Sequence, residues 1–175
     1  VDGGVKGLIS LQDMIKEALG NNIIKIEDNK GYMDVVVPLE KLKESAIKVK
    51  QLGFDHVKSV TAVDYIQKKQ FMVTYHISSY LNEELSRHVL GLSTFIDRDN
   101  PHIPSLATIW TSAEFQEREV YEFFGIIFDG HPDLRLLLLT PVVAALKPLR
   151  KDFVVKEDSI NIEVDYAAYN ATKWW

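Results

Sequence analysis

The residues able to do chemistry crowd into one stretch. Glu117, Arg118, Glu119 and Glu122 stand within six positions, interleaved with Val120 and Tyr121; Phe123, Phe124 and Gly125 follow, and a turn carrying His131 and Pro132 ends on Arg135. Carboxylates and an imidazole brought together can do general acid–base chemistry, with Glu117 as the base and His131 as the acid, their pKa values tuned by burial. Other chemistries are excluded. The chain has no Cys, which removes disulfides, cysteine nucleophiles, thiolate zinc sites and cysteine-ligated iron–sulfur clusters. Its five histidines, at 56, 76, 88, 102 and 131, show no paired helical spacing, so no metal site is read. Gly125 and Gly130 are spaced for a turn, and neither opens into the Lys-Ser/Thr helix start of a phosphate loop. Two carboxylates and a histidine are also common in purely structural networks. Which reading holds depends on the elements that place them.

The stretch reads as a helix capped by Ser112, with Phe115 opening its apolar side. Advancing about 100° per residue from Phe115 puts Phe123 near ~80°, Val120 near ~140°, Phe124 near ~180° and Tyr121 near ~240°, a very wide apolar arc. Glu114, Arg118 and Glu122 share the remaining narrow face at i, i+4, i+8. They read as a solvated ion-pair stripe, with each pair contributing about 0.2–0.5 kcal/mol. Glu117 and Glu119 fall instead on apolar flanks, where a carboxylate must be paired, protonated or turned toward a second protein. Arg135, Arg150, Lys151, His131 or a neighbouring subunit are the candidate cations.

The body carrying this helix is α+β. Ser10 caps a short amphipathic helix that Gly20 ends. Two β-branched runs around Asp28-Asn29-Lys30-Gly31 read as a hairpin, and a second helix runs from Leu39 to a left-handed cap at Gly53. Three antiparallel strands follow: one from Phe54 to a turn at 64–69, one from Phe71 to Ile77, and one from Leu85 to Ile96. Positions 97–104 read as a loop, and 105–110 as either a helical turn or a short strand. Sequential hairpins with helices between them imply a largely antiparallel sheet with packed helices. The expected division is one domain over 1–155 and an extended C-terminal tail over 156–175, closing on Trp174 and Trp175.

Length and charge bound the function. With 175 residues the chain can build its own core, burying roughly 70% of the surface its unfolded form exposes. A net charge of −5 gives no basic footprint for nucleic-acid phosphates. The most apolar tract, 136–146, is far shorter than the roughly 20 residues that span a bilayer, so any membrane contact would be indirect.

The pattern Glu117-Arg118-Glu119, Tyr121-Glu122, Phe124-Gly125-Ile126, Phe128, Gly130-His131-Pro132, Leu134-Arg135, then Pro148-Leu149-Arg150-Lys151-Asp152-Phe153, resembles the 30 kDa subunit family of respiratory complex I. This family, also called the C subunit of NADH dehydrogenase, has relatives in archaeal membrane-bound nickel–iron hydrogenases and related ion-pumping complexes. The resemblance implies a peripheral subunit with no active site and no cofactor of its own, on the cytoplasmic face of the cell membrane. Its partners would be a large catalytic subunit and a small iron–sulfur subunit, which carry the iron–sulfur clusters and any nickel–iron centre. Glu117, Arg118, Glu119, Tyr121, Phe124, Gly125, His131, Pro132, Arg135, Arg150 and Asp152 would form its structural hub or partner interface. Leu136 stands where the family commonly has a second arginine, and Glu122 where Asp is usual. These departures, the Lys/Glu/Ile-rich composition and the absence of a fused catalytic domain resemble the hydrogenase-type branch more than the C subunit of NADH:quinone oxidoreductase proper.

Overall fold

Helix α1 (Leu11–Leu19) starts where Ser10 Oγ accepts the Asp13 N–H at 3.1 Å, the cap read from the sequence, and it ends at Gly20 with φ +51°. Residues 10–29 and 31–155 are described by this computed structural model. The expected tail, with Trp174 and Trp175, lies outside them. The apolar side of α1, Ile15 and Leu19, packs with Leu42, Ala46 and Val49 of α2 (Leu42–Gln51).

Five strands make the main sheet: β1 (Lys25–Asn29), β2 (Tyr32–Val36), β3 (His56–Tyr65), β4 (Gln70–Ser78) and β5 (Val89–Asp97), in the order β1-β2-β5-β4-β3. Three of the four pairings are antiparallel. The fourth joins the hairpin to the meander, with β2 parallel to β5. The sheet is therefore mixed and mostly antiparallel. One face is apolar: Met33, Val35, Leu90, Leu92, Phe71, Val73, Tyr75, Ile77 and Val57 share a core with α1, α2 and the later helices.

The opposite face carries a polar row. Ser93 Oγ donates to Asp34 Oδ1 at 2.8 Å, which leaves Thr74 Oγ1 to donate to Ser93 Oγ at 2.8 Å. Ser59 Oγ meets His76 Nδ1 at 3.0 Å. The Tyr32 ring lies across Gly91 toward His76, its centroid 5.9 Å from the imidazole. An aromatic covering a strand glycine supplies the contact that the missing side chain cannot.

Several expectations change in detail. Leu85 belongs to a short helix, α3 (Glu83–Ser86), because Asn82 Oδ1 accepts the N–H groups of Glu84 and Leu85 and starts a helical turn before β5. The 97–104 loop contains β6 (His102–Pro104), parallel to β7 (Ile127–Asp129), in a second, two-stranded sheet. Positions 105–110 form a helical turn, with the Trp110 N–H on Leu106 O at 2.9 Å. Ser112 is not the helix cap. Its hydroxyl accepts the Val57 N–H at 3.0 Å, and Gln116 Oε1 accepts that of Val60 at 2.6 Å, so the start of the next helix satisfies part of the free edge of β3.

A Cβ added at Gly91 would meet Tyr32 Oη and stand 2.9 Å from Asp34 Oδ1. Gly91→Ala should destabilise the chain by roughly 1–3 kcal/mol in urea unfolding. Adding Tyr32→Phe should recover part of that loss. Equal midpoints for wild type and Gly91→Ala would show that the ring does not rest on the strand.

Candidate functional site

Helix α4 (Glu114–Phe124) ends on Gly125, whose left-handed conformation (φ +74°) lets its N–H return to Tyr121 O at 2.8 Å. Three charged side chains of this helix, Glu117, Arg118 and Glu122, are buried.

Glu117 accepts three hydrogen bonds: from Tyr75 Oη at 2.9 Å, from Ser105 Oγ at 2.5 Å and from the Leu106 N–H at 2.8 Å. Burial pushes its pKa up, against these donors, which favour the ionised form. The Tyr75 hydroxyl is pushed well above its ordinary value by burial and then by the Glu117 charge. His131 lies 4.0 Å away, too far to hydrogen bond. Its Nδ1 accepts the Asp133 N–H at 2.9 Å, so Nε2 carries the proton and donates to Glu114 O at 3.0 Å. Both nitrogens are therefore committed. The Glu117 and His131 side chains are fully buried, so neither can reach a substrate proton, and the acid–base reading fails on geometry.

Arg118 and Glu122 act on another segment. Arg118 donates from Nε to Arg135 O and from Nη2 to Leu136 O, each at 2.9 Å. Glu122 accepts the N–H groups of Leu137, Leu138 and Leu139 at 2.9, 3.1 and 3.2 Å. One turn of helix thus clasps an irregular strap, 135–139, by its carbonyls at one end and its amides at the other. The solvated stripe expected from Glu114, Arg118 and Glu122 is overturned: the strap covers that face because its backbone groups have no strand to pair with. The arc drifts accordingly. Phe115 is exposed and lies 5.5 Å under the Arg118 guanidinium, while Glu119 is exposed rather than on an apolar flank.

Arg135 and Arg150 do not serve Glu117. Arg135 makes a forked pair with Asp133, at 2.6 and 2.7 Å, on an exposed turn beside Pro132; this arginine holds the Asp133 carboxyl below its usual range. Arg150 Nε donates to Phe124 O at 2.6 Å, closing the end of α4, and its guanidinium lies 5.2 Å from the Phe71 ring. Phe71 also meets Phe124 edge-on at 6.0 Å. Tyr121 lies under Lys147.

A second lock was not anticipated. Asp64 accepts a forked pair from Arg98 at 2.9 and 3.1 Å and the Lys151 N–H at 2.9 Å, and Arg98 also reaches Asp152 at 2.7 Å. Asp152 is held below its usual pKa by Arg98. Asp64 shares the inward register of Val60 at the end of β3, a signal that a cation had to meet it. Tyr75, on the core face of β4, carried the same kind of signal. Ser105 gave none. Among the described residues no group of three or more His, Asp or Glu could hold a metal ion.

Residues 35–159, which include the whole of α4, its strap and the 148–153 segment, match the family described as respiratory-chain NADH dehydrogenase, 30 Kd subunit. The chain belongs to this family. It is 35% identical over 156 residues to NADH-quinone oxidoreductase subunit 5 of Thermus thermophilus, covering 84% of this chain and 73% of that protein. It is 40% identical over 118 residues to the C subunit of the F(420)H(2) dehydrogenase of Methanosarcina mazei, covering 67% and 72%. The solved trypsin-resistant fragment of Nqo5 superposes with a TM-score of 0.62 at 33% identity, over 71% of this chain and 98% of that one. A chain of a membrane-bound sulfane sulfur reductase, an archaeal respiratory membrane complex, shares the fold with a TM-score of 0.72 at 22% identity, over 91% and 89%. Both curated relatives are, by their names, subunits of larger oxidoreductases.

Glu117→Ala should cost about 3 kcal/mol or more, because it strands Tyr75 Oη and the Leu106 N–H in the core, whereas Glu117→Gln should cost far less. The raised folded pKa of Glu117 means that its contribution is fully present below its unfolded value of about 4.3 and is lost as pH rises through the folded value. Glu117→Gln removes this dependence. Unfolding free energies measured from pH 4 toward neutral should therefore show the Gln variant gaining on wild type. Parallel curves would contradict the buried-carboxylate account.

Proposed function

We propose that this chain is a non-catalytic peripheral-arm subunit of a membrane-bound, ion-translocating electron-transfer complex of the complex I type. It holds the large catalytic subunit beside the small iron–sulfur subunit, on the cytoplasmic face of the membrane. Redox centres, iron–sulfur clusters and any nickel–iron site then belong to those partners, since this chain supplies no thiolate. Of the two branches considered, the departures at Leu136 and Glu122 favour the archaeal hydrogenase-type or related complexes. The identity to the Thermus thermophilus protein supports the C subunit of NADH:quinone oxidoreductase as the second reading.

The clasped strap is the observation that carries the scaffold reading. Leu138 and Leu149 are 63% and 53% exposed, and Val142 and Leu146 are nearly half-exposed, all between 138 and 149. Large exposed apolar groups rimmed by charge mark interaction surfaces. Leu138 stands on the clasped strap and the Leu149 N–H donates to Phe123 O at 3.2 Å, so α4 fixes the backbone beneath both, and fixing a surface before contact lowers the entropy lost on binding. Within the described residues no helix is long and apolar enough to cross a membrane, so attachment through other subunits accounts for membrane association.

A tagged copy of the chain, expressed with the other subunits of its complex, should co-purify with a large catalytic and a cluster-bearing small subunit, identified by mass spectrometry. Leu138→Asp with Leu149→Asp should leave the melting temperature of the isolated chain within about 3 °C and reduce the co-purified partners at least about tenfold. Full assembly of that variant would overturn the assignment of the strap as the docking surface.

A further inference from the structure

Lys147 and Arg150 meet over Gly125 at the C-terminal end of α4. A Cβ built on Gly125 would stand 2.8 Å from Lys147 Cε and 3.1 Å from Arg150 Nη2, so the two side chains converge on one point. Among the described residues neither makes an ion pair within 4.0 Å. Other arginines in this half of the molecule are matched: Arg98 has Asp64 and Asp152, and Arg135 has Asp133. Glu122 acts on Lys147 only at longer range, because its oxygens are taken by the strap amides. The Lys147 ammonium rests 5.2 Å from the Tyr121 ring centroid.

Electrostatics disfavours a cation at this position, and the backbone disfavours any side chain there. Burial, and after it the Arg150 charge, hold the Lys147 pKa below its ordinary value. Lys147 also sits at φ +50°, directly after the cap residue of α5 (Pro141–Ala145), where glycine is the residue that fits without strain. Arg150 Nε already takes the Phe124 carbonyl and Lys147 the Tyr121 ring face, and a carboxylate facing the pair would offset their mutual repulsion. The chain neighbours Leu146 and Leu149 are half-exposed, so the segment that carries the two cations also carries open apolar side chains. Apolar flanks suit a carboxylate carried on a protein surface better than a free, fully hydrated phosphate.

We propose that Lys147 and Arg150 receive a carboxylate side chain of a neighbouring subunit, with that subunit's aliphatic groups packing on Leu146 and Leu149. This inference rests on the scaffold reading and gives it a charged anchor.

The test uses Lys147→Gln, which keeps much of the stem and removes the charge, in the tagged chain expressed with its complex. The isolated variant should melt within about 3 °C of wild type. Its recovery of the large subunit at about 0.15 M salt should fall at least about tenfold, and Lys147→Arg should restore it. If Lys147→Gln assembles like wild type while the Leu138/Leu149 variant does not, the anchor is refuted and the scaffold reading stands. If the wild-type chain recovers no other subunit, both fall. A large drop in melting temperature on Lys147→Gln would mean that the Lys147 charge is already answered within the isolated chain, which also refutes the inference.

Discussion

The backbone of two irregular segments has to be satisfied without a sheet, and charged side chains of α4 do it. The Leu106 N–H and the backbone groups of 135–139 have no strand to pair with. Leaving such groups buried and unpaired costs about 1–3 kcal/mol each. Glu117 takes the Leu106 N–H, Arg118 the carbonyls of Arg135 and Leu136, and Glu122 three successive amides. Hydrogen bonds to an ionised partner are roughly twice as strong as neutral ones, so a carboxylate on three amides can hold a segment in place of a ladder. The charges are in the interior as substitutes for secondary structure.

Function and stability therefore meet on one helix without competing for its residues. Inward groups bind backbone, and the opposite ends of the segments they hold face outward. The second lock extends this logic: Asp64 and Arg98 fix positions 151 and 152 against the ends of β3 and β5, while Arg150 closes α4. Between the clasp and this lock the chain runs from 139 to 150 over the surface, anchored at both ends. The leucines that stand out of it occupy a defined arc as a result.

Much of this fold was legible in the sequence, because hydrophobic period, caps and turn residues act locally. Ser10, Gly20, Gly53 and Gly125 did what their types imply. The parallel β2–β5 pair was not legible, since alternation in each strand says nothing about which edge it joins. Nor was the role of Ser112, whose hydroxyl suits a helix cap and an exposed strand amide equally well. The wheel projection located Glu117 correctly on a buried side and misplaced Glu119 and Glu122. Such a projection ranks faces by greasiness alone, and the face of Glu122 is buried by backbone rather than by apolar side chains. Glu117 takes none of the expected cations: neutral donors, a phenol, a hydroxyl and an amide, replace the arginine that a buried charge was expected to need.

That replacement has a consequence for the surface. Had Arg135 or Arg150 been drawn inward to neutralise Glu117, the turn and the end of α4 would have lost their cations. Because neutral donors serve the interior carboxylate, Arg135 stays with Asp133, and Arg150 stays beside Lys147, where no carboxylate of the described chain answers it. The interior is closed with hydrogen bonds and the positive charge remains at the rim. A face with fixed backbone, open leucines and cations that no carboxylate of the described residues answers follows from how the core was satisfied, and under the proposed function this is the face a partner takes.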